Sequence, residues 1–235
     1  WGAAKSPGGG AAVSQHRGSN WKDLAGCGTG LTEVLRMHEW HFTSREHQKE
    51  QYSLHLRTPK PDTLYVHMDF AQSRTLPLGE PETGAWWYAT GRLQVNILCF
   101  FLWGQGRKPT YLTFVSDILN HDSAYMIACS EHMFAMFPPK ESGIKKVIIW
   151  ADAGRHFLSY RAWGYWLMDV PTKYQISSEL SYFPPGHGKG LVDGHFSRLR
   201  AWADHEARGS TLSSVADFAA ALERRGQREM KLGGT

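Results

Sequence analysis

Apolar residues recur along this chain with two different periods, and the switches between them outline its elements. From Leu31 the spacing is helical: Leu31, Val34, Leu35, His38 and Phe42 share a stripe, with Glu33, Arg36 and Glu39 opposite. A helix is expected over 29–56, stopped by Pro59 and Pro61. Residues 63–70 read as a strand, and a loop containing Pro77, Gly79, Pro81 and Gly84 follows. Residues 86–103 read as a long, mostly buried strand bent at Gly91, and 110–116 as a third strand after the turn at 104–109. Short connections make these three a meander. Asn120 or Asp122 is placed to cap a helix running to Phe137, where Pro138 and Pro139 end it. Residues 146–151 are almost continuously apolar, as in a central strand covered on both faces. A helix over 155–168 and a strand over 174–183 come next, and Pro184-Pro185-Gly186 breaks the strand. A helix from about Asp193 presents Phe196, Leu199, Trp202 and Ala203. A last helix, from Ser210 through 228, presents Leu212, Val215, Phe218, Ala219 and Leu222.

The order of these elements is that of an α/β fold: a meander first, then strand–helix crossovers. It implies a mixed five-stranded sheet with helices on both faces, plus an N-terminal and a C-terminal helix. This order is similar to that of the ribonuclease H-like fold. The expected organisation is a flexible Gly/Ala-rich segment (1–28), a helical extension (29–60), the core (61–208) and a C-terminal helix and tail (209–235).

Composition changes the picture in three places. Ten tryptophans promise a bulky core or a stacking surface, and a net charge of +4 is a mild pointer to an anionic partner. Cys27, Cys99 and Cys129 are odd in number and far apart, so neither a disulfide framework nor a zinc cluster is expected; Cys99 and Cys129 read as core thiols. That usage suits a reducing intracellular compartment, the nucleus included, rather than secretion. The longest apolar run, Val95–Trp103, is too short to cross a bilayer as a helix, so no membrane partner is expected. The start at Trp1, with no signal-peptide pattern, reads as an internal piece of a longer polypeptide.

The chemistry is concentrated in three strand-like runs that deliver an aspartate: Leu64–Asp69, Lys146–Asp152 and the segment His187–Phe196 around Asp193. Carboxylates at the tips of apolar strands are costly unless a cation meets them, and hard divalent cations prefer oxygen ligands. Taken singly, Asp69 reads equally as a strand-end cap, Asp152 as a turn residue and Asp193 as a helix cap. His121 and His132 read as satisfied or exposed histidines, and Tyr160, Trp163, Tyr165 and Trp166 as core.

Three stretches together resemble eukaryotic transposon-derived proteins with a DDE transposase (integrase-like) core. They are Met68-Asp69-Phe70-Ala71-Gln72, Trp150-Ala151-Asp152-Ala153-Gly154-Arg155-His156-Phe157, and His187-Gly188-Lys189-Gly190-Leu191-Val192-Asp193-Gly194. The resemblance covers roughly 60–205. It implies a two-metal Mg²⁺ or Mn²⁺ site on Asp69, Asp152 and Asp193, cutting or joining DNA strands, with RNA as an alternative substrate and no small-molecule cofactor. Arg155, His187, Lys189, Arg198 and Arg200 would then lie along the nucleic acid. In that case Asp69 and Asp152 should sit on adjacent parallel strands, with Asp193 at the same edge. The competing expectation is a domesticated, silent module: a structural or nucleic-acid-binding subunit of a larger, possibly ribonucleoprotein, assembly of protein subunits.

Overall fold

Strand β1 (Thr63–Phe70) organises the sheet, and its eight residues TLYVHMDF are the β-branched and aromatic types that pack well on a pleated surface. The computed structural model describes residues 28–79, 92–184 and 190–232. The chain divides into two units, Trp1–Thr43 and Ser44–Thr235. Helix α1 (Gly28–Arg57) begins in the first, and its residues from Ser44 onward belong to the second.

The other strands are β2 (Arg74–Thr75), β3 (Gln94–Trp103), β4 (Thr110–Ser116), β5 (Lys146–Ala151) and β6 (Ser177–Tyr182). Their main order is β4-β3-β1-β5-β6, with the two-residue β2 also pairing with β3. β1–β3 and β3–β4 are antiparallel; β1–β5 and β5–β6 are parallel. The fold is therefore α/β with a mixed sheet of six strands, the short β2 being the addition to the five expected. Of the expected strand 86–103, residues 86–91 lie outside the described residues and β3 starts at Gln94.

Helix α2 (Ser123–Met136) is capped by Asp122, whose carboxylate accepts the Tyr125 N–H at 2.8 Å. The helix expected over 155–168 begins later. The Gly154 carbonyl accepts the N–H of both Phe157 and Leu158, which makes a turn, and Ser159 caps α3 (Tyr160–Gly164). A π-helical stretch (Tyr165–Asp169) leads into α4 (Val170–Tyr174). Pro171 is tolerated there because it sits in the first turn, where its missing N–H is not needed. Gln175, at φ 55°, then turns the chain into β6. α5 (Leu191–Glu206) and α6 (Val215–Leu232) complete the chain. α6 starts at Val215 rather than Ser210 because Ser214 and Asp217 cap each other's backbone at that point.

Strand residues alternate between the two faces of the sheet. One face packs Leu64, Val66, Met68, Leu98, Phe100, Leu102, Val147 and Ile149 against α2 and the α3–α4 segment. The other packs Tyr65, Phe101, Trp103, Ile148 and Trp150 with Tyr52 of α1, Phe183 and Val192. A further cluster joins Val95 and Ile97 to Leu199 and Ala203 of α5 and Phe218 of α6. The helix expected over 29–56 is α1, in which Leu31, Val34 and Leu35 are more than half exposed and Tyr52 is buried. Cys99 and Cys129 are buried, as expected. Among the described residues no helix is long and apolar enough to cross a membrane.

Candidate site at the carboxyl edge of β1 and β5

The parallel register of β1 and β5 ends with Met68 opposite Ala151, so Asp69 and Asp152 each follow immediately after the last pair. The two expected carboxylates therefore leave neighbouring strands at one sheet edge. Asp69 also stands opposite Cys99 of β3 and so shares its face. Asp193 lies in the first turn of α5, where Oδ2 accepts the Gly190 N–H at 2.8 Å. Gly190, not Asp193, is therefore the N-cap of α5, and Asp193 reaches back to it from the third helical position.

Asp152 and Asp193 both act on Asp69. Asp69 is pushed up to about 7, first by burial, then by the negative charges of Asp152 and Asp193; the Phe70 N–H, donating to Oδ1 at 2.8 Å, pulls the other way. Asp152 Oδ1 accepts the Gly154 N–H at 3.1 Å and faces His156 Nε2 at 3.7 Å. A side chain at Gly154 would crowd both, since a Cβ there would stand 2.9 Å from Asp152 Oδ1 and 2.7 Å from the His156 ring. Burial pulls His156 below the ordinary imidazole range, more than Asp152 lifts it, so the ring facing this carboxylate is neutral near pH 7. Among the described residues, no three His, Cys, Asp or Glu side chains form a group that could hold a metal ion as they stand.

Aromatic rings brace this edge. Phe70 stacks on His121 at 4.6 Å between centroids and receives His156 edge-on at 4.9 Å. Toward β4, Thr113 Oγ1 is 3.1 Å from His195 Nε2, and His195 stacks on Tyr111 at 4.1 Å. Burial, aided by the Arg198 charge, lowers His195 to about 4. Burial likewise pushes the Cys99 thiol up to about 12, which removes it as a nucleophile at neutral pH.

The expected nucleic-acid residues distribute unevenly. Arg200 lines a cleft of about 240 Å³ with Asp193, Gln72, Arg74 and Phe70. Arg155 is exposed in the turn after Asp152, and the Arg198 charge reaches both Tyr111, where it opposes a rise caused first by burial, and His195, where it adds to the lowering by burial. His187 and Lys189 lie outside the described residues. His121, read from the sequence as a satisfied or exposed histidine, stacks on Phe70 at this edge. Gln72 and His156 stood in the sequence only as parts of the resembling stretches, and Arg74 was given no role. Of the aromatic run, Tyr165 and Trp166 are core as expected; Tyr160 is 88% and Trp163 38% exposed.

Residues 48–224 match the family described as a domain of unknown function (DUF8701), and the chain belongs to that family. The match spans all three aspartates and every strand of the sheet. No curated protein matches the sequence.

Proposed function

We propose that this member of a family of unknown function is a ribonuclease H-like domain of the DDE transposase type, carrying out metal-dependent phosphoryl transfer on DNA, with RNA as an alternative. The strand order β4-β3-β1-β5-β6, with a meander feeding two parallel crossovers, supports the fold assignment. The observation that carries the functional reading is the register placing Asp69 and Asp152 side by side at the end of adjacent parallel strands, with Asp193 close enough to act on Asp69.

The donor set suits Mg²⁺ or Mn²⁺. It offers hard carboxylate oxygens, and a cation there would offset the burial and the Asp152 and Asp193 charges that raise Asp69 to about 7. Asp69 and Asp152 would hold one cation, and Asp193 would complete a second position. When bound, such ions activate a water or 3′-hydroxyl and stabilise the leaving oxygen of an in-line displacement. The chain itself orients the carboxylates: the Phe70 N–H fixes Asp69, the Gly154 N–H fixes Asp152, and the Gly190 N–H fixes Asp193. Arg155, Arg198 and Arg200, with His187 and Lys189, would bind the phosphates on either side of the reacting one.

The test is nicking or joining of plasmid DNA in Mg²⁺ or Mn²⁺ by wild type, Asp69→Asn and Asp152→Asn. Activity in wild type alone, with both variants folded, is expected. Calcium should permit binding without turnover, because its looser coordination places the nucleophile poorly. Wild-type protein inert on DNA and RNA with either metal overturns the reading. One observation favours the second reading, a silent subunit of a larger assembly: among the described residues no three potential ligands form a metal-holding group. Mn²⁺ binding measured by calorimetry separates the two, since the silent module takes up no metal at the aspartates.

A further inference from the structure

The far end of α5 and the outer side of α6 form a second concave surface, of about 730 Å³, lined by His205, Glu206, Arg208, Ser210, Arg224 and Arg228. Its geometry starts from the amphipathic pattern of α6. Phe218, Ala221 and Leu222 are buried, which turns Arg224 and Arg228, one helical turn apart, toward the end of α5. Glu206, with a side chain only 10% exposed, is the sole carboxylate of the bowl among the described residues. Its Oε2 meets Arg224 Nε at 3.4 Å and its Oε1 meets Arg228 Nη1 at 3.5 Å, with His205 Nδ1 at 3.8 Å. Arg208 adds a third, exposed guanidinium.

Two properties follow. The bowl keeps an excess of positive charge, three guanidiniums against one carboxylate. Glu206 also fixes two of those guanidiniums in advance while engaging one nitrogen of each, and a guanidinium has five N–H donors to offer. Planar forks held in this way suit phosphate oxygens, which they bind in pairs. Among the described residues no apolar side chain lines the bowl. A lipid surface or the buried centre of a protein interface would call for one.

We propose that this bowl binds the phosphodiester backbone of a nucleic acid, at a place separate from the aspartate edge. Asp193 and Glu206 stand at opposite ends of α5, so about 20 Å of helix separates them, a path of roughly six nucleotides at 3.4 Å each. The inference rests on the nucleic-acid reading above for the identity of the polymer, and not on catalysis.

The experiment is fluorescence anisotropy of a labelled DNA duplex and a labelled RNA strand, in chelator, over about 50–200 mM salt. Wild type is compared with Arg208→Ala/Arg224→Ala/Arg228→Ala. Because that triple change leaves Glu206 without its partners, Arg208→Glu serves as a second variant, altering an exposed side chain only. The triple variant should weaken binding at least tenfold and reduce the salt slope by about 2–3, close to 0.9 per lost phosphate contact on duplex. Arg208→Glu should weaken binding several-fold with an unchanged circular dichroism spectrum. Undiminished affinity and slope in both variants overturns the proposal. So does wild type that binds no nucleic acid, or that binds polyglutamate in its place. Arginine-dependent binding without any metal-dependent cutting leaves this inference standing and removes the catalytic reading; cutting by variants that bind normally does the reverse.

Discussion

The two faces of the sheet are built on different terms. Along β1, β3 and β5, one face carries the buried apolar residues Leu64, Val66, Met68, Leu98, Phe100, Leu102, Val147 and Ile149, with the buried Asn96 near the start of β3 donating to the Ile118 carbonyl at 3.0 Å. The other carries Tyr65, His67, Trp103 and Trp150, and its buried polar atoms find partners. Tyr52 Oη and His67 Nδ1 are 2.8 Å apart; Trp103 Nε1 donates to the His55 carbonyl at 2.9 Å and Trp150 Nε1 to His55 Nδ1 at 3.1 Å. The first face contributes stability through burial. The second gives up part of that gain to hold polar groups in fixed positions, and the aspartate edge is its continuation.

The largest test of this contrast is on the aliphatic face. Phe100 is fully buried, and Phe100→Ala should cost about 3–5 kcal/mol in urea unfolding. A cost below about 1 kcal/mol would mean that this face is not where stability resides.

On the aromatic face, Tyr52→Phe keeps the ring and removes the hydroxyl that meets His67, which is 1% exposed. An unpaired buried ring nitrogen should cost about 1–3 kcal/mol. Burial lowers His67 to about 4, so the unfolded chain takes up its proton first as pH falls. The stability that neutral His67 contributes is complete above about 6.5 and is lost as pH drops from there through about 4. Unfolding curves from pH 7 to pH 4, with His67→Phe as reference, measure it; identical curves would remove His67 as the cause.

At the aspartate edge the sign reverses. Asp69 is raised from 3.8 to about 7, so its contribution is complete below about 4 and is lost as pH rises through about 7. In chelator at pH 8, Asp69→Asn should gain about 1–2 kcal/mol, a fraction of what the full shift represents because the amide must still be desolvated. The gain should vanish near pH 4. An Asn variant less stable than wild type at pH 8 would make Asp69 a structural cap instead of a strained member of a charge cluster.

The smallest effect is expected at Gly154. Gly154→Ala should change stability by under about 1 kcal/mol, since the turn is near the surface, yet it presses on Asp152 and His156. Any metal-induced rise in melting temperature should fall relative to wild type; an unchanged rise would show that Asp152 tolerates displacement.

What was legible in the sequence divides along the same line. β1, β4 and β5 lie where their β-branched and aromatic runs put them, and Asp122 caps α2, because these features are set by neighbours within a few residues. That Asp69 and Asp152 end their strands was legible locally, while the pairing of those two strands was expected from the family resemblance and is what the register shows. The period of α1 gave its helix, Gly28–Arg57, but shows only which residues share a face, not whether anything packs on it; Leu31, Val34 and Leu35 are exposed. The stacking of His121 on Phe70 joins residues distant in sequence, and no local pattern encodes it. The delayed start of α3 turned on hydrogen bonds to the Gly154 carbonyl, a choice the apolar spacing does not record.

The β1–β5 pairing has a consequence for how the molecule comes to be. Asp62 and Lys145, joined at the opposite end of that pairing, are 83 residues apart. The β3–β4 hairpin can close as soon as it is made, since its two strands are nearly contiguous. β1 can pair with β3 early, but its other edge, with the aspartate already synthesised, must wait until β5 leaves the ribosome. Parallel pairing over so long a loop carries the larger entropic barrier and belongs to the slow part of folding. The carboxylate edge is therefore born late, on a sheet whose antiparallel half already stands.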